Sequence, residues 1–210
     1  MLLYDYHPAP SPRRVRIFLA EKTLSVPIRA VDLAKREQLA DDYRAKNPRC
    51  TVPMLELDDG SCLWDTLAIC EYIESLQPSP PLFGRSALDH ARVVMWYQRI
   101  ELDGFLATAD VFRNANPAFK DRALFGPLPT AQIPALIERS RPRVRQFYLD
   151  MDARLAASEY VAGDFFSLAD IQLLCVVDFA MGWGRMPLPA ECAALAAWHA
   201  KVGARPSASA

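Results

Sequence analysis

The chain has 210 residues, 51% of them hydrophobic and 23% charged, and a formal net charge of −1. That is enough apolar material for two small domains with a sizeable core, and the near-neutral balance excludes the strong basic field expected of a nucleic-acid or anionic-membrane binder. No apolar run approaches the roughly 18 residues of a membrane span, and Met1-Leu-Leu-Tyr-Asp5 lacks the charged-then-apolar layout of a signal peptide, so a cytoplasmic location is expected.

Leu2 to Tyr4 reads as a short strand that runs into the proline-rich turn His7-Pro-Ala-Pro-Ser-Pro12. Val15, Phe18, Leu19 and Lys22 follow at helical spacing, which predicts a first helix. Ser11 is read as its N-cap and Pro12 as its first helical residue. A second strand is expected over about 26–31, then a charged stretch, 32–46, with a short helix. Asn47-Pro48 opens a loop. Val52, Met54, Leu55 and Leu57 read as a strand, Asp59-Gly60 as a hairpin turn and residues 61–64 as its return. Pro53 cannot donate to a ladder and so belongs at the strand's first residue or on an edge; local rules favour a trans bond before it. A helix over 66–76 follows, with Ile69, Cys70, Ile73 and Leu76 on its apolar face.

Three prolines within Gln77-Pro-Ser-Pro-Pro-Leu-Phe-Gly84 read as a linker. Beyond it only helical patterns occur. One long helix is expected over about 87–113, a loop over 114–129, and a helix over about 131–157 that Pro142 kinks or restarts. Ser167 and Asp170 have the spacing of a capping box before an apolar helix over 168–180. A last helix is expected over about 190–202, and the tail 205–210 is expected to fray. The five cysteines, Cys50, Cys62, Cys70, Cys175 and Cys192, include no Cys-x-x-Cys, and His7, His90 and His199 show no metal-ligand spacing, so neither disulfides nor a metal is expected.

Three motifs carry a resemblance: Ser11-Pro-x-x-Val-Arg-Ile17, Thr51-Val-Pro53 with Asp65-Thr66 after the hairpin, and the Ser167/Asp170 cap. In this order and across a proline linker, the chain resembles the cytosolic glutathione transferase superfamily over nearly its whole length, with no class assigned and a bacterial-type, serine-like enzyme as the candidate. The resemblance implies an α/β thioredoxin-like N-terminal domain (1–76), a linker (77–86) and an all-α C-terminal domain (87–210) that forms the pocket for an electrophile. It implies a cis bond before Pro53, leaving the backbone of Val52 to pair with the cysteinyl part of glutathione. It also implies that Asp65 and Thr66 hold the γ-glutamyl end, with Asp-Thr standing where Glu-Ser is usual.

Glutathione must be bound extended and ionised, because the thiolate is the nucleophile. The start of the first helix offers a positive dipole end and unpaired N–H groups, so Ser11 is the candidate catalytic residue, with helix capping as its other role and Tyr4, Tyr6 and His7 in reserve. Lys35 and Arg49 are candidates for a glutathione carboxylate, Met95, Trp96 and Phe112 for the electrophile wall, and Cys50 is read as a packed thiol. The expected partners are glutathione as co-substrate, a small hydrophobic electrophile and a second copy of the chain, with no nucleic acid or membrane. A glutathione-dependent isomerase or dehalogenase, or a non-catalytic glutathione-binding stress protein, would share the architecture.

Overall fold

The computed structural model describes residues 1–210. Four strands, β1 (Leu2–Asp5), β2 (Ile28–Ala30), β3 (Met54–Glu56) and β4 (Cys62–Leu63), form one sheet in the order β2-β1-β3-β4. β1 pairs with β2 in parallel and with β3 antiparallel, and β3 pairs antiparallel with β4. Helices α1 (Pro10–Glu21), α2 (Asp41–Lys46) and α3 (Thr66–Leu76) complete this domain. The alternation along a strand sorts its residues between two faces. Leu3 and its partner Leu55 join the main core with Val15 and Phe18 of α1 and Ile69 and Ile73 of α3. Tyr4 and its partner Met54 instead meet Tyr43 of α2 in a small second cluster.

The start of α1 differs from the sequence expectation. Ala9 is the N-cap, Pro10 the first helical residue, Ser11 the second and Pro12 the third, and no side chain caps the end. Two prolines fit here because first-turn N–H groups have no intrahelical acceptor in any case. Arg16 fixes the turn before the helix by donating to Asp5 at 2.5 Å and to the carbonyl of His7 at 3.0 Å.

The helical domain begins with α4 (Ala87–Ile100), capped by Ser86, which accepts from the N–H of Asp89. A π turn over Glu101–Phe105 joins it to α5 (Leu106–Ala115), so the expected long helix is a single rod with one wide turn. In that turn a Cβ on Gly104 would lie 2.6 Å from the ring of Phe147, so glycine is what lets α6 (Pro134–Ala156) pack this close. α6 runs through Pro142 without a restart. α7 (Leu168–Met181) is buried almost all round and forms the centre of the domain. α8 (Ala193–Gly203) follows. The tail does not fray: a 3₁₀ turn over Pro206–Ser209 lies on α1, where Arg205 makes two bonds to Glu21 (2.8 and 2.7 Å) and Ser207 makes a third.

Asp170, fully buried, ties these helices together. It accepts from the N–H of Val161, the N–H and hydroxyl of Ser167 and the indole N–H of Trp198, all at 3.0–3.1 Å. Burial outweighs these bonds and pushes its carboxyl up to about 6. Asp170→Ala strands several buried donors, each costing about 1–3 kcal/mol when left without a partner. A loss on the order of 3 kcal/mol or more is therefore expected in urea unfolding; a midpoint close to that of the unsubstituted protein would show that the cap carries little weight.

Candidate active site

A cavity of about 700 Å³ lies between the two domains. One wall comes from the β1–α1 turn (Tyr6, Ala9, Pro10, Ser11), the segment after β2 (Leu33, Arg36, Gln38) and the loop before β3 (Cys50, Thr51, Val52). The other comes from the helical domain, with Phe105, Phe112 and Arg113 on the rod, Phe119, Arg122 and Phe125 in the loop after it, and Phe179 and Trp183 at the end of α7.

The loop before β3 is held from inside. Asn47 is fully buried; its amide donates to the carbonyl of Thr51 at 2.8 Å and its oxygen accepts from the N–H of Arg49 at 3.0 Å. Tyr43 donates to the same Thr51 carbonyl at 2.5 Å. Cys50 adopts φ +52°, in the left-handed region that few non-glycine residues occupy. The Val52–Pro53 bond is cis. Both the N–H and the C=O of Val52 lack a partner within the protein, although buried backbone groups are almost always paired.

The N-terminus of α1 shows the same kind of vacancy. Pro10 and Pro12 have no N–H, and Arg13 donates to the carbonyl of Ala9 at 3.3 Å. Ser11 therefore holds the one unpaired backbone N–H of the first turn, and its hydroxyl makes no hydrogen bond either. Thr66, buried at the start of α3, lies 3.5 Å by its hydroxyl from the carbonyl of Ser11, so two helix N-termini meet here. Asp65 is the N-cap of α3 and accepts from the N–H of Leu67 at 3.0 Å, with its side chain exposed.

Two family models match the chain, "Glutathione S-transferase, N-terminal domain" over residues 9–76 and "Glutathione S-transferase, C-terminal domain" over residues 117–206. Glutathione S-transferase 2 of Saccharomyces cerevisiae is 36% identical, over 99% of this chain and 87% of its own length. The chain belongs to the glutathione S-transferase family. Its fold is correspondingly close to solved structures. The crystal structure of Gtt2 from Saccharomyces cerevisiae superposes with a TM-score of 0.91 at 35% identity, covering 100% of this chain and 99% of the other. A glutathione S-transferase domain-containing protein from Marinobacter aquaeolei superposes at 0.90 with 36% identity, covering 99% of both chains.

As a glutathione S-transferase, the chain keeps some expected site residues together and disperses others. Ser11 and Val52 line one cavity, and Thr66 touches Ser11. Lys35 is outside the lining, largely exposed and 3.2 Å from Asp32; the Arg49 side chain is also exposed and outside it. Of the reserve residues only Tyr6 lines the cavity. Tyr4 is committed to Glu56 (2.6 Å) and Lys46 (3.0 Å) on the far face of the sheet. Phe112 lines the cavity, whereas Met95 is exposed on the rod and Trp96 packs under Arg154. Cys50 is buried, as a packed thiol should be, yet it also reaches the cavity.

Sequence reasoning missed Arg36, Gln38, Arg113, Arg122 and the aromatic wall. Phe112 stacks with Trp183 (centroids 5.2 Å apart) and meets Phe119 and Phe179 edge-on. Arg113 lies 4.5 Å from both the Phe119 and Phe125 rings and donates to the carbonyls of Arg122, Ala123 and Leu124, which fastens the loop over the cavity. The alternation Phe119-Lys-Asp-Arg122…Phe125 in an otherwise unpatterned loop was the available signal.

Proposed function

We propose that the protein binds glutathione along the wall formed by Val52, Ser11 and Thr66, ionises its thiol at the N-terminus of α1, and adds the thiolate to a hydrophobic electrophile held against the aromatic wall. The observation that carries this reading is the pair of backbone vacancies on one face of the cavity, at Val52 and at Ser11. An extended peptide satisfies both groups of Val52, in a loop that Asn47 and Tyr43 hold from inside. The sulfur then reaches the helix end, where the N–H and hydroxyl of Ser11 donate to an anion that the dipole also favours. An ordinary thiol, with a pKa of about 8.5, is mostly protonated at neutral pH, so stabilising the thiolate is the chemistry the protein must supply. In the reaction the C–S bond forms as the electrophile's leaving group departs with its bonding electrons, and the thiol proton passes to solvent.

Thr66 offers its N–H and hydroxyl to the γ-glutamyl carboxylate at the N-terminus of α3, and Asp65 meets the ammonium. The glycyl carboxylate falls to the guanidinium of Arg36 and the amide NH2 of Gln38, both of which line the cavity. Lys35 and Arg49 act at most at long range. The protein also forms a two-fold dimer through the rod. Leu88, Met95 and Leu102 are exposed at seven-residue intervals along it, an apolar seam suited to a copy of itself.

The deciding experiment follows the thiolate absorbance of bound glutathione against pH, together with turnover of 1-chloro-2,4-dinitrobenzene. Ser11→Ala keeps the backbone N–H and loses the hydroxyl. If the hydroxyl contributes a hydrogen bond, the titration midpoint rises and neutral-pH turnover falls. Because Ser11 does not cap α1, its melting temperature should stay near that of the unsubstituted protein. An unmoved titration would assign ionisation to the N–H and the dipole alone.

Asp65→Ala removes a charged partner and should weaken glutathione binding by about 1–3 kcal/mol; unchanged affinity in calorimetry would move the γ-glutamyl end elsewhere. For the dimer, light scattering at micromolar protein should give twice the chain mass, and Met95→Glu should bring it to that of one chain. A single-chain mass in the unsubstituted protein would count against the seam.

A further inference from the structure

The cavity is unbalanced in charge. Its lining includes Arg36, Arg113, Lys120 and Arg122, against one acid, Asp121. None of the four cations forms an ion pair with a carboxylate, although all four charged side chains of α1 are paired. They also act on one another. Burial and, after it, the charge of Arg122 lower Arg113 to about 10; burial and, after it, the charge of Arg36 lower Arg122. Arg36, Arg122 and Arg113 thus form a row of like charges running from the N-terminal domain to the rod.

Arg113 and Arg122 are seated on rings, and each keeps N–H groups without an acceptor. Arg113 lies over the rings of Phe119 and Phe125, and Arg122 lies 5.6 Å from Phe119. Arg113 spends its Nε and Nη2 on loop carbonyls, while its Nη1 donates to nothing. A guanidinium anchored against a ring and a loop holds its remaining N–H groups in place for a carboxylate or sulfonate oxygen.

Glutathione does not use up this surplus. Four cations less one acid leaves three positive charges in the lining. The γ-glutamyl end is assigned to Asp65 and Thr66, which are outside the lining, so only the glycyl carboxylate and the thiolate enter the cavity. One positive charge remains without a partner, beside a wall built from Phe112, Phe119, Phe179 and Trp183.

We infer that the electrophile is an aromatic compound bearing an anionic substituent, its ring against Phe112 and Trp183 and its charge on Arg122 and the free Nη1 of Arg113. This rests on the transferase reading and narrows its substrate class. For a halogenated aryl carboxylate, the thiolate attacks the halogen-bearing carbon, the C–S bond forms, and halide leaves with the C–halogen electron pair. The carboxylate stays on the cations throughout and is unchanged.

Binding tests this independently of turnover. Trp183, stacked on Phe112, reports a nitroaromatic by fluorescence quenching. The matched probes are 3,5-dinitrobenzoate and 1,3-dinitrobenzene, titrated in the presence of the unreactive S-methylglutathione. The anion should bind about tenfold more tightly at low salt, the size expected for one charge-assisted bond. The advantage should shrink to about threefold or less in Arg122→Gln and with added salt in the unsubstituted protein, where screening weakens a partly exposed ion pair. The salt series stands even if the variant folds poorly. Equal or weaker binding of dinitrobenzoate overturns the inference, whatever the turnover. Tighter, salt-sensitive binding of dinitrobenzoate without glutathione consumption on either chloro-dinitrobenzene or chloro-dinitrobenzoate would instead sink the transferase reading and leave the anion site standing.

Discussion

The buried charges of α1 hold the two domains in register, and the cavity exists only because that register is held. Arg16 pairs with Asp5 within the N-terminal domain, and Lys22 reaches Glu74 and the carbonyl of Pro80. On the opposite side Arg14, fully buried over the ring of Phe105, donates to Glu101 in the π turn, and Gln172 of α7 donates to the same carboxylate. Arg13 reaches Asp178 of α7 at 2.5 Å, and His199 lies 2.7 Å from the same side chain. Burial alone would raise the Asp178 carboxyl, yet the bonds from His199 and Arg13 hold it below the ordinary carboxylate value. Such pairs add little net stability over apolar packing, but losing one partner leaves a costly buried charge. They therefore act as a geometric constraint: α1 has few other ways to sit on the helical domain.

That constraint places two different kinds of recognition opposite each other. The N-terminal domain turns mostly main chain toward the cavity, at Val52 and Ser11, supported by a buried asparagine and a tyrosine that stay outside its lining. The helical domain lines the cavity with side chains, rings and guanidinium groups mounted on a rod and a tethered loop. Main-chain recognition tolerates substitution on its surface and suits a constant tripeptide. A side-chain wall can be rebuilt residue by residue while the fold stays as it is.

What could be read in advance follows from how local each cause is. The helix over 66–76 was legible because its apolar residues repeat at helical spacing, and the structure adds Asp65 as its cap. The capping role of Asp170 was legible from its spacing after Ser167. The start of α1 was misjudged because Pro10 and Pro12 both suit a first turn, and Ser11 between them looks like a cap. The tail was misjudged because what orders it, Glu21 against Arg205 and Ser207, spans more than 180 residues of sequence. The cis bond at Pro53 came from the family resemblance and not from local chemistry, which favours trans. Of the cavity, the lining at Ser11 and Val52 was readable through the family motifs. The cation row was not, because Arg36, Arg113 and Arg122 come from three separate segments, and Arg36 joins the other two only when the domains dock.

The two prolines that bracket Ser11 have a consequence for how this position can vary. They strip the helix end of every spare donor but one, and that donor belongs to the main chain rather than to the serine. Nineteen amino acids would preserve it, and only a third proline would erase it. An alanine scan is therefore blind to this group, and divergence at position 11 among related sequences would say little about whether the anion-holding function survives. The feature is inherited through the spacing of its neighbours, so the residues that guard it are the two that contribute no hydrogen to it.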